Sequence, residues 1–331
     1  TSRDPFNSVI AVVKKTASAL AASLALSTLL VACGGGSDDA PAVPSVAASV
    51  SDTTQFFNRV ATFAVCEQLG SSCEAREETA AEIVAFSEAA ITVIYTNSPK
   101  DEVGFVDITD PSAPVALGAL AMGGEPTSIT VRGEHALIAV NTSPSFTAPD
   151  GKLVVVDIAT RQVVHEIALG GQPDSIAISK DGKYVAVVIE NERDEDLGDG
   201  TPPQLPGGKL VIVDAVGAPN TWQTRDVALT NLAMLYPTDP EPEYVSINDN
   251  NVAVVTLQEN NHLVLVDLAT GKVTRDFTAG KVSLTQIDLT DAPRPNQVNL
   301  TESLSNRLRE PDGVTWVSAS QFVTANEGDL D

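Results

Sequence analysis

Two short phrases recur in phase along this chain, and their spacing constrains the fold more than any other feature. One is an apolar run closing on aspartate: Gly104-Phe105-Val106-Asp107, Val155-Val156-Asp157, Ile212-Val213-Asp214 and Leu265-Val266-Asp267. The other opens on proline: Glu125-Pro126, Gln172-Pro173, Glu241-Pro242 and Glu310-Pro311, each leading into a Val/Ile-rich stretch. The aspartates fall at 107, 157, 214 and 267. A fixed period of roughly 50 residues is the mark of an array of supersecondary units. Within a unit the pattern reads as four short strands separated by Gly, Asn, Asp and Pro. Strand A follows the proline, strand B follows a tight turn such as Lys180-Asp181-Gly182-Lys183, strand C closes on the aspartate, and strand D leads to the next proline.

Four-stranded units repeated in this way point to an all-β fold, a β-propeller of four-stranded blades. A β-sandwich is the rival, since it too uses regular short strands, but the in-phase return of both phrases favours blades. The first blade starts near Ala81-Glu82-Ile83-Val84, four are complete by about Ala279, and a fifth contributes Gly313–Val317 and Gln321–Ala325. About four and a half blades do not close a ring, so the expectation is the front part of a longer, seven-bladed protein.

The N-terminal region reads differently. Lys14 and Lys15 precede an apolar stretch from Thr16 to Ala32, shorter than the roughly 20 residues that span a bilayer as a helix. This is the pattern of a secretory signal. It ends Leu30-Val31-Ala32-Cys33, similar to a bacterial lipobox with Cys33 as the lipidated residue, followed by a Gly/Ser/Asp-rich tether. The expected division is therefore 1–32 for the signal and upstream residues, 33–60 for the lipidated cysteine and flexible tether, and 61–331 for the partial propeller. Gly34 after the cysteine is similar to lipoproteins of the outer membrane, so an outer-membrane or cell-surface location is expected, with the membrane as a partner through the lipid. Cys66 and Cys73 remain as a pair, which in an oxidising compartment reads as a small disulfide loop; a metal site is the rival.

The formal net charge is −24. Such acidity disfavours nucleic acid and anionic surfaces and favours cations. The strand order puts the B–C and D–A connections on one edge of every blade. The long segments Thr142–Lys152, Asn191–Lys209, Asn231–Glu241 and Lys281–Arg309 all fall there. Long loops on a rigid scaffold are where binding residues concentrate. Carboxylates and amides collect on the same edge: Glu190, Asn191 and Glu192, then Gln258, Glu259, Asn260 and Asn261, then Asn326, Glu327 and Asp329, beside Glu125, Asp174, Glu243 and Asp312. Oxygen-rich sets suit calcium, and Glu190, Glu192, Glu259, Asn260, Asn326, Glu327 and Asp329 are the expected ligands. Turn formation and backbone capping are the competing roles for these residue types. The strand C aspartates lie on the opposite edge and read as turn formers. His135, His165 and His262 are scattered, and no hydrolase elbow, zinc-protease or phosphate-loop motif is present.

Pro173-Asp174-Ser175-Ile176 through Lys183, and Val264-Leu265-Val266-Asp267 through Lys272, resemble YVTN-type propeller repeats. Ala81–Phe86, Val255–Asn261 and Glu310–Val314 with Thr324–Asp329 resemble the choice-of-anchor I family. That resemblance implies an exported propeller, of a kind often labelled alkaline-phosphatase-like or esterase-like phytase. Two functions follow as expectations. One is a calcium-dependent phosphoesterase acting on a phosphorylated small molecule, with Glu190, Glu259 and Glu327 holding the ion. The other is a non-catalytic propeller that binds a surface protein partner or builds an assembly. The clustered aspartates of true propeller phytases are not seen.

Overall fold

A computed structural model describes residues 9–15, 57–69, 78–289 and 299–327. It begins with a pair, β1 (Val9–Lys15) against β2 (Phe57–Ala64). β1 thus occupies the stretch that includes the two lysines read as the start of the signal. β2 begins inside the expected tether, and Phe63 packs with Val65, Val93, Tyr95 and Val106.

Four complete antiparallel blades follow. Blade one is β3 (Ala81–Ser87), β4 (Thr92–Asn97), β5 (Glu102–Asp107) and β6 (Val115–Ala121). Blade two is β7 (Glu125–Arg132), β8 (His135–Asn141), β9 (Gly151–Asp157) and β10 (Gln162–Ala168). Blade three is β11 (Pro173–Ile178), β12 (Tyr184–Ile189), β13 (Lys209–Asp214) and β14 (Gln223–Ala228). Blade four is β15 (Pro242–Ile247), β16 (Val252–Leu257), β17 (His262–Asp267) and β18 (Lys272–Thr278). A hairpin comes next, β19 (Lys281–Ile287) with β20 (Glu302–Leu308), and then the pair β21 (Pro311–Trp316) and β22 (Phe322–Asn326) that opens blade five. The strands are joined in sequence order within each sheet, as the repeat predicts.

The hairpin corrects one expectation. Lys281–Arg309 is not simply a long D–A loop, because much of it pairs with itself. Val282 and Leu284 on one arm and Leu304 and Leu308 on the other supply the apolar spacing that lets the segment pair.

Strands B and C are buried along almost their whole length. β4, for example, is buried at every residue, and β12 and β13 at all but their ends. A strand buried on both faces reads as a continuous apolar run rather than an alternating one, which is why Val185–Ile189 and Leu210–Val213 carry no polar residue. What covers them is the next blade. One core cluster joins Leu137, Leu153 and Val155 of blade two to Val185, Val187 and Val211 of blade three. Others join blades three and four, one and two, and four and five. The innermost strands β3, β7, β11, β15 and β21 contact one another in that order.

On the short-loop edge, arginines tie neighbouring blades together. Arg132 donates through Nε to the Gly182 carbonyl (2.8 Å) and through Nη2 to the Ala215 carbonyl (2.8 Å), and lies 5.2 Å over the Trp222 ring. Three strand C aspartates form turns as expected. Asp107 accepts from the Thr109 N–H, Asp157 from Thr160 and Asp267 from Thr270. Asp214 instead takes both forks of Arg225 (2.7 and 2.6 Å), which also donates to the Leu268 carbonyl of blade four. Replacing Arg132 by alanine leaves two inter-blade carbonyls unpaired, so urea unfolding should show a loss of about 2–3 kcal/mol, with lysine restoring less than half.

Candidate functional site: an acidic well on the long-loop edge

The innermost strand carries the same irregularity in every blade. A β-bulge falls just after the opening residue, between Ala81 and Val84, Pro126 and Ser128, Pro173 and Ile176, Pro242 and Val245, and Pro311 and Val314. A bulge adds one unpaired residue and re-aims its side chain. The residues inside it are Glu82, Thr127, Asp174, Glu243 and Asp312. The prolines before the last three cost no ladder bond, because proline is tolerated where a strand begins.

Four of those five residues, together with the ends of strand B, line a cavity of about 450 Å³. Its walls are almost wholly polar. All five blades contribute: Glu82 and Ser98, Glu125 and Thr127, Asp174 with Glu190 and Glu192, Glu243 with Glu259, and Glu327. Nine carboxylates face a single cation, Arg193.

Arg193 enters from the long B–C loop of blade three. Its Nη1 donates to Glu241 Oε2 (3.0 Å) and Glu259 Oε1 (2.8 Å), its Nη2 to Glu195 Oε1 (3.2 Å), and its Nε to the Gly200 carbonyl (3.0 Å). The Arg193 and Glu259 side chains are each 7 % exposed and that of Glu241 1 %. Burial alone would lower the arginine, but Glu259 and Glu241 outweigh it and hold the guanidinium charged. One cation is shared by two buried carboxyls, which also hydrogen-bond one another. Burial and the adjacent Glu259 push Glu241 up to about 9.

Nearer the innermost strands, a second set of acids makes no ion pair with Lys, Arg or His among the described residues. Burial, with Asp312 and Glu192, lifts Asp174 to about 7. Burial, with Asp174 and Glu259, lifts Glu243 to about 8. Glu190 is raised well above the ordinary range by burial and by Glu243, to which it is hydrogen-bonded. Burial and mutual repulsion favour the protonated forms of these groups.

The amides at the end of strand B have a different task. Asn260 Oδ1 accepts from the Glu241 N–H, while its Nδ2 donates to the carbonyls of Leu235, Tyr236 and Asp239. Asn191 holds the Gln172 N–H and the Pro206 and Gly207 carbonyls. Asn97 accepts from the Ala80 N–H, and Asn261 from Arg309 and Glu310. In each case an asparagine fixes the residue that precedes an innermost strand, and so fixes where the bulge presents its acid.

The structure therefore brings together Glu190, Glu192, Glu259 and Glu327 of the expected ligands. Glu192 accepts from Gln172 Nε2 (3.0 Å) and Glu327 from Gln258 Nε2 (3.1 Å). It does not bring Asn260 or Asn326 to the well. Both ends of the Asn260 amide are engaged by backbone, and Asn326 is exposed and accepts from Thr324 Oγ1. Asp329, Cys33 and Cys73 lie outside the described residues; Cys66 is buried. His262 Nε2 meets Asp276 Oδ1 at 3.1 Å and is not part of the well. Sequence reasoning missed Arg193 and Glu241. The one available signal was that Arg193 is the sole basic residue between Glu190 and Gly208.

The comparison with protein families bears directly on this arrangement, because the model described as "Choice-of-anchor I domain" matches residues 82–331, from the first bulge acid to the end of the chain. The chain belongs to the choice-of-anchor I family. That makes it a cell-surface or exported protein built of propeller blades. No curated protein matches it significantly. Among solved structures it is similar to virginiamycin B lyase from Staphylococcus aureus, at 12% identity over 74% of this chain and 63% of that one, with a TM-score of 0.46. It is also similar to Kuenenia stuttgartiensis hydrazine synthase, at 15% identity over 57% of this chain and 64% of that one, TM-score 0.35. A nidogen/laminin complex chain matches at 14% identity over 60% of this chain and 64% of that one, TM-score 0.40. The choice-of-anchor I chain thus spans a little over three fifths of the length of these structures.

Two outcomes test the site. The raised carboxyls bind protons in the folded state that the unfolded chain releases near pH 4. Their contribution to stability should be fullest below that pH and fall as pH rises through about 7, 8 and 9, where Asp174, Glu243 and Glu241 ionise. Thermal unfolding between pH 5 and 9 should show this fall, and Glu243→Gln should flatten it. Asn260→Ala should cost about 2–4 kcal/mol and speed amide exchange across 231–241, whereas a ligand role alone would leave that exchange unchanged.

Proposed function

We propose that this protein is an exported, surface-held propeller that binds a cationic ligand in its acidic well. The observation that carries this reading is the convergence of nine carboxylates from five blades on one cavity that holds a single arginine. Like charges gathered in a partly buried site repel one another, and a bound cation relieves that repulsion. Attachment by a lipid on Cys33 at the outer membrane, and a Cys66–Cys73 disulfide, complete the proposal; the signal-like stretch before Cys33 and the even cysteine pair support them.

Calcium is the first ion to consider. The carboxylates of the well offer oxygen, which suits a hard cation. Yet among the described residues no three His, Cys, Asp or Glu side chains stand close enough to hold one ion. The carboxylates would have to draw together to bind calcium. Phosphoester hydrolysis, the activity that family labels suggest, is therefore an arm of the test rather than its premise.

The test is thermal unfolding of the whole chain with calcium, magnesium and simple amines, paired with turnover of p-nitrophenyl phosphate with calcium and with chelator. A cation that occupies the well should raise Tm by about 3 °C or more at saturation. Turnover abolished by chelator would establish the phosphoesterase. A shift without turnover would establish a binding propeller, and no shift with any cation would remove the reading.

A further inference from the structure

The hairpin between blades four and five has an apolar face left half open, and its register names an occupant. We infer that this face docks on the same hairpin of a second copy of the chain. The inference is independent of the acidic well.

β19 and β20 form a two-stranded sheet of their own. No residue of either strand belongs to an apolar core cluster among the described residues. A two-stranded hairpin alone in water is marginally stable and depends on something packed against one face. Which face follows from the pairing. Thr285 stands opposite Ser303, on the same side as Ser283, and that side is polar. The other side carries the cross-strand pairs Val282–Arg307, Leu284–Leu304 and Ile287–Glu302. Leu284, at the middle of that side, is 40 % exposed.

The order of these pairs selects the occupant. From base to tip the face reads basic, wholly apolar, acidic, with one aliphatic residue accompanying each charge. A two-fold axis crossing the strands at the Leu284–Leu304 pair would lay a second hairpin on the first, turned end for end. Leu284 then meets the partner's Leu284, and Leu304 the partner's Leu304. Val282 meets the partner's Ile287, and Arg307 meets the partner's Glu302. A two-fold contact requires self-complementarity of this kind, and opposite charges at both ends fix the register.

The two ends of the hairpin agree with this. At the base, Val282, Arg307 and Arg309 face Asn326 and Glu327 across a cavity of about 380 Å³. At the tip, Leu289 and Leu300 are 50 % and 56 % exposed, and Glu302 is held there by accepting from the Leu289 N–H (2.7 Å). The tip of one copy thus brings two leucines and a carboxylate to the cavity of the other, where two arginines stand. The contact is small. Seven residues per strand make a face about 24 Å long and about 10 Å wide, against roughly 800 Å² per partner in a standard interface. The dimer is therefore weak.

Sedimentation velocity of the whole chain, from about 5 μM to about 500 μM, tests this. We expect monomer at the low end and dimer at the high end, with a Kd on the order of 100 μM. No larger species should form, because a two-fold contact closes on itself. Leu284→Asp should weaken the dimer roughly tenfold or more and leave Tm unchanged, since Leu284 packs in no core cluster. Arg307→Glu and Glu302→Arg should each be monomeric alone, because each variant sets like charges together at both ends. Mixed in equal amounts they should associate again, since both ends of the mixed pair then join opposite charges. Thermal unfolding verifies that each variant is folded. A chain that stays monomeric throughout would overturn the inference and leave the face to a different partner. A dimer indifferent to Leu284→Asp, folded charge variants that fail to associate when mixed, or growth into larger species would each overturn it as well.

Discussion

The structure depends on one constraint: strands B and C of each blade are apolar on both faces and can be covered only by another blade. Val185, Val187 and Val211 bury one side against blade two, while Ala186, Val188 and Leu210 bury the other against blade four. Full burial of a Val, Leu or Ile side chain is worth roughly 1.5–3 kcal/mol, and every blade contributes many. A single blade has no core of its own. The repeat therefore follows from the packing, since each unit must present the same two apolar faces to its neighbours. Arg132 and Arg225 reinforce the seams with carbonyl contacts from one blade to the next.

Stacking blades in this way sets the innermost strands side by side, each against the next. In four of the five blades the shared bulge places its residue on the wall of the well, and the asparagine clamps hold the entry to the strand in place. Fold and site are thus one construction. The inter-blade contacts set five innermost strands in a row, and the bulge residues of four of them, Glu82, Thr127, Asp174 and Glu243, line the well.

Concentrating acids in this way has an electrostatic cost that the protein meets by two means. On the outer wall Arg193 bridges Glu241 and Glu259. Nearer the innermost strands, protonation of Asp174, Glu190 and Glu243 is favoured, because burial and mutual repulsion disfavour their ionised forms. A site that is reluctant to ionise and short of cations is ready to exchange protons for a positively charged ligand. The net charge of −24 adds a long-range attraction for such a ligand, which salt screens.

Much of this was legible in the residues themselves. Period, strand order and the sidedness of the loops could be read because two-sided burial writes continuous Val/Ile runs, and because turns demand Asp, Asn and Gly at set offsets. Asp107, Asp157 and Asp267 were readable as turn formers for the same local reason. Glu190, Glu192, Glu259 and Glu327 could be placed on one edge, since strand direction alone decides which end of a strand a residue occupies. The division of labour among them was not readable. Asn260 and Glu259 are adjacent in the chain, yet one clamps backbone and the other faces the well, and that choice rests on where the 231–241 loop passes. Arg193 reaches Glu241 and Glu259 across 48 and 66 residues of chain, so no local pattern could announce it. The sequence alone determined the repeating strands and the acidity of one edge, because both are written in short-range order. Only the tertiary structure decided that the acids meet in a single well and which of them are paired, because those facts depend on distances between blades.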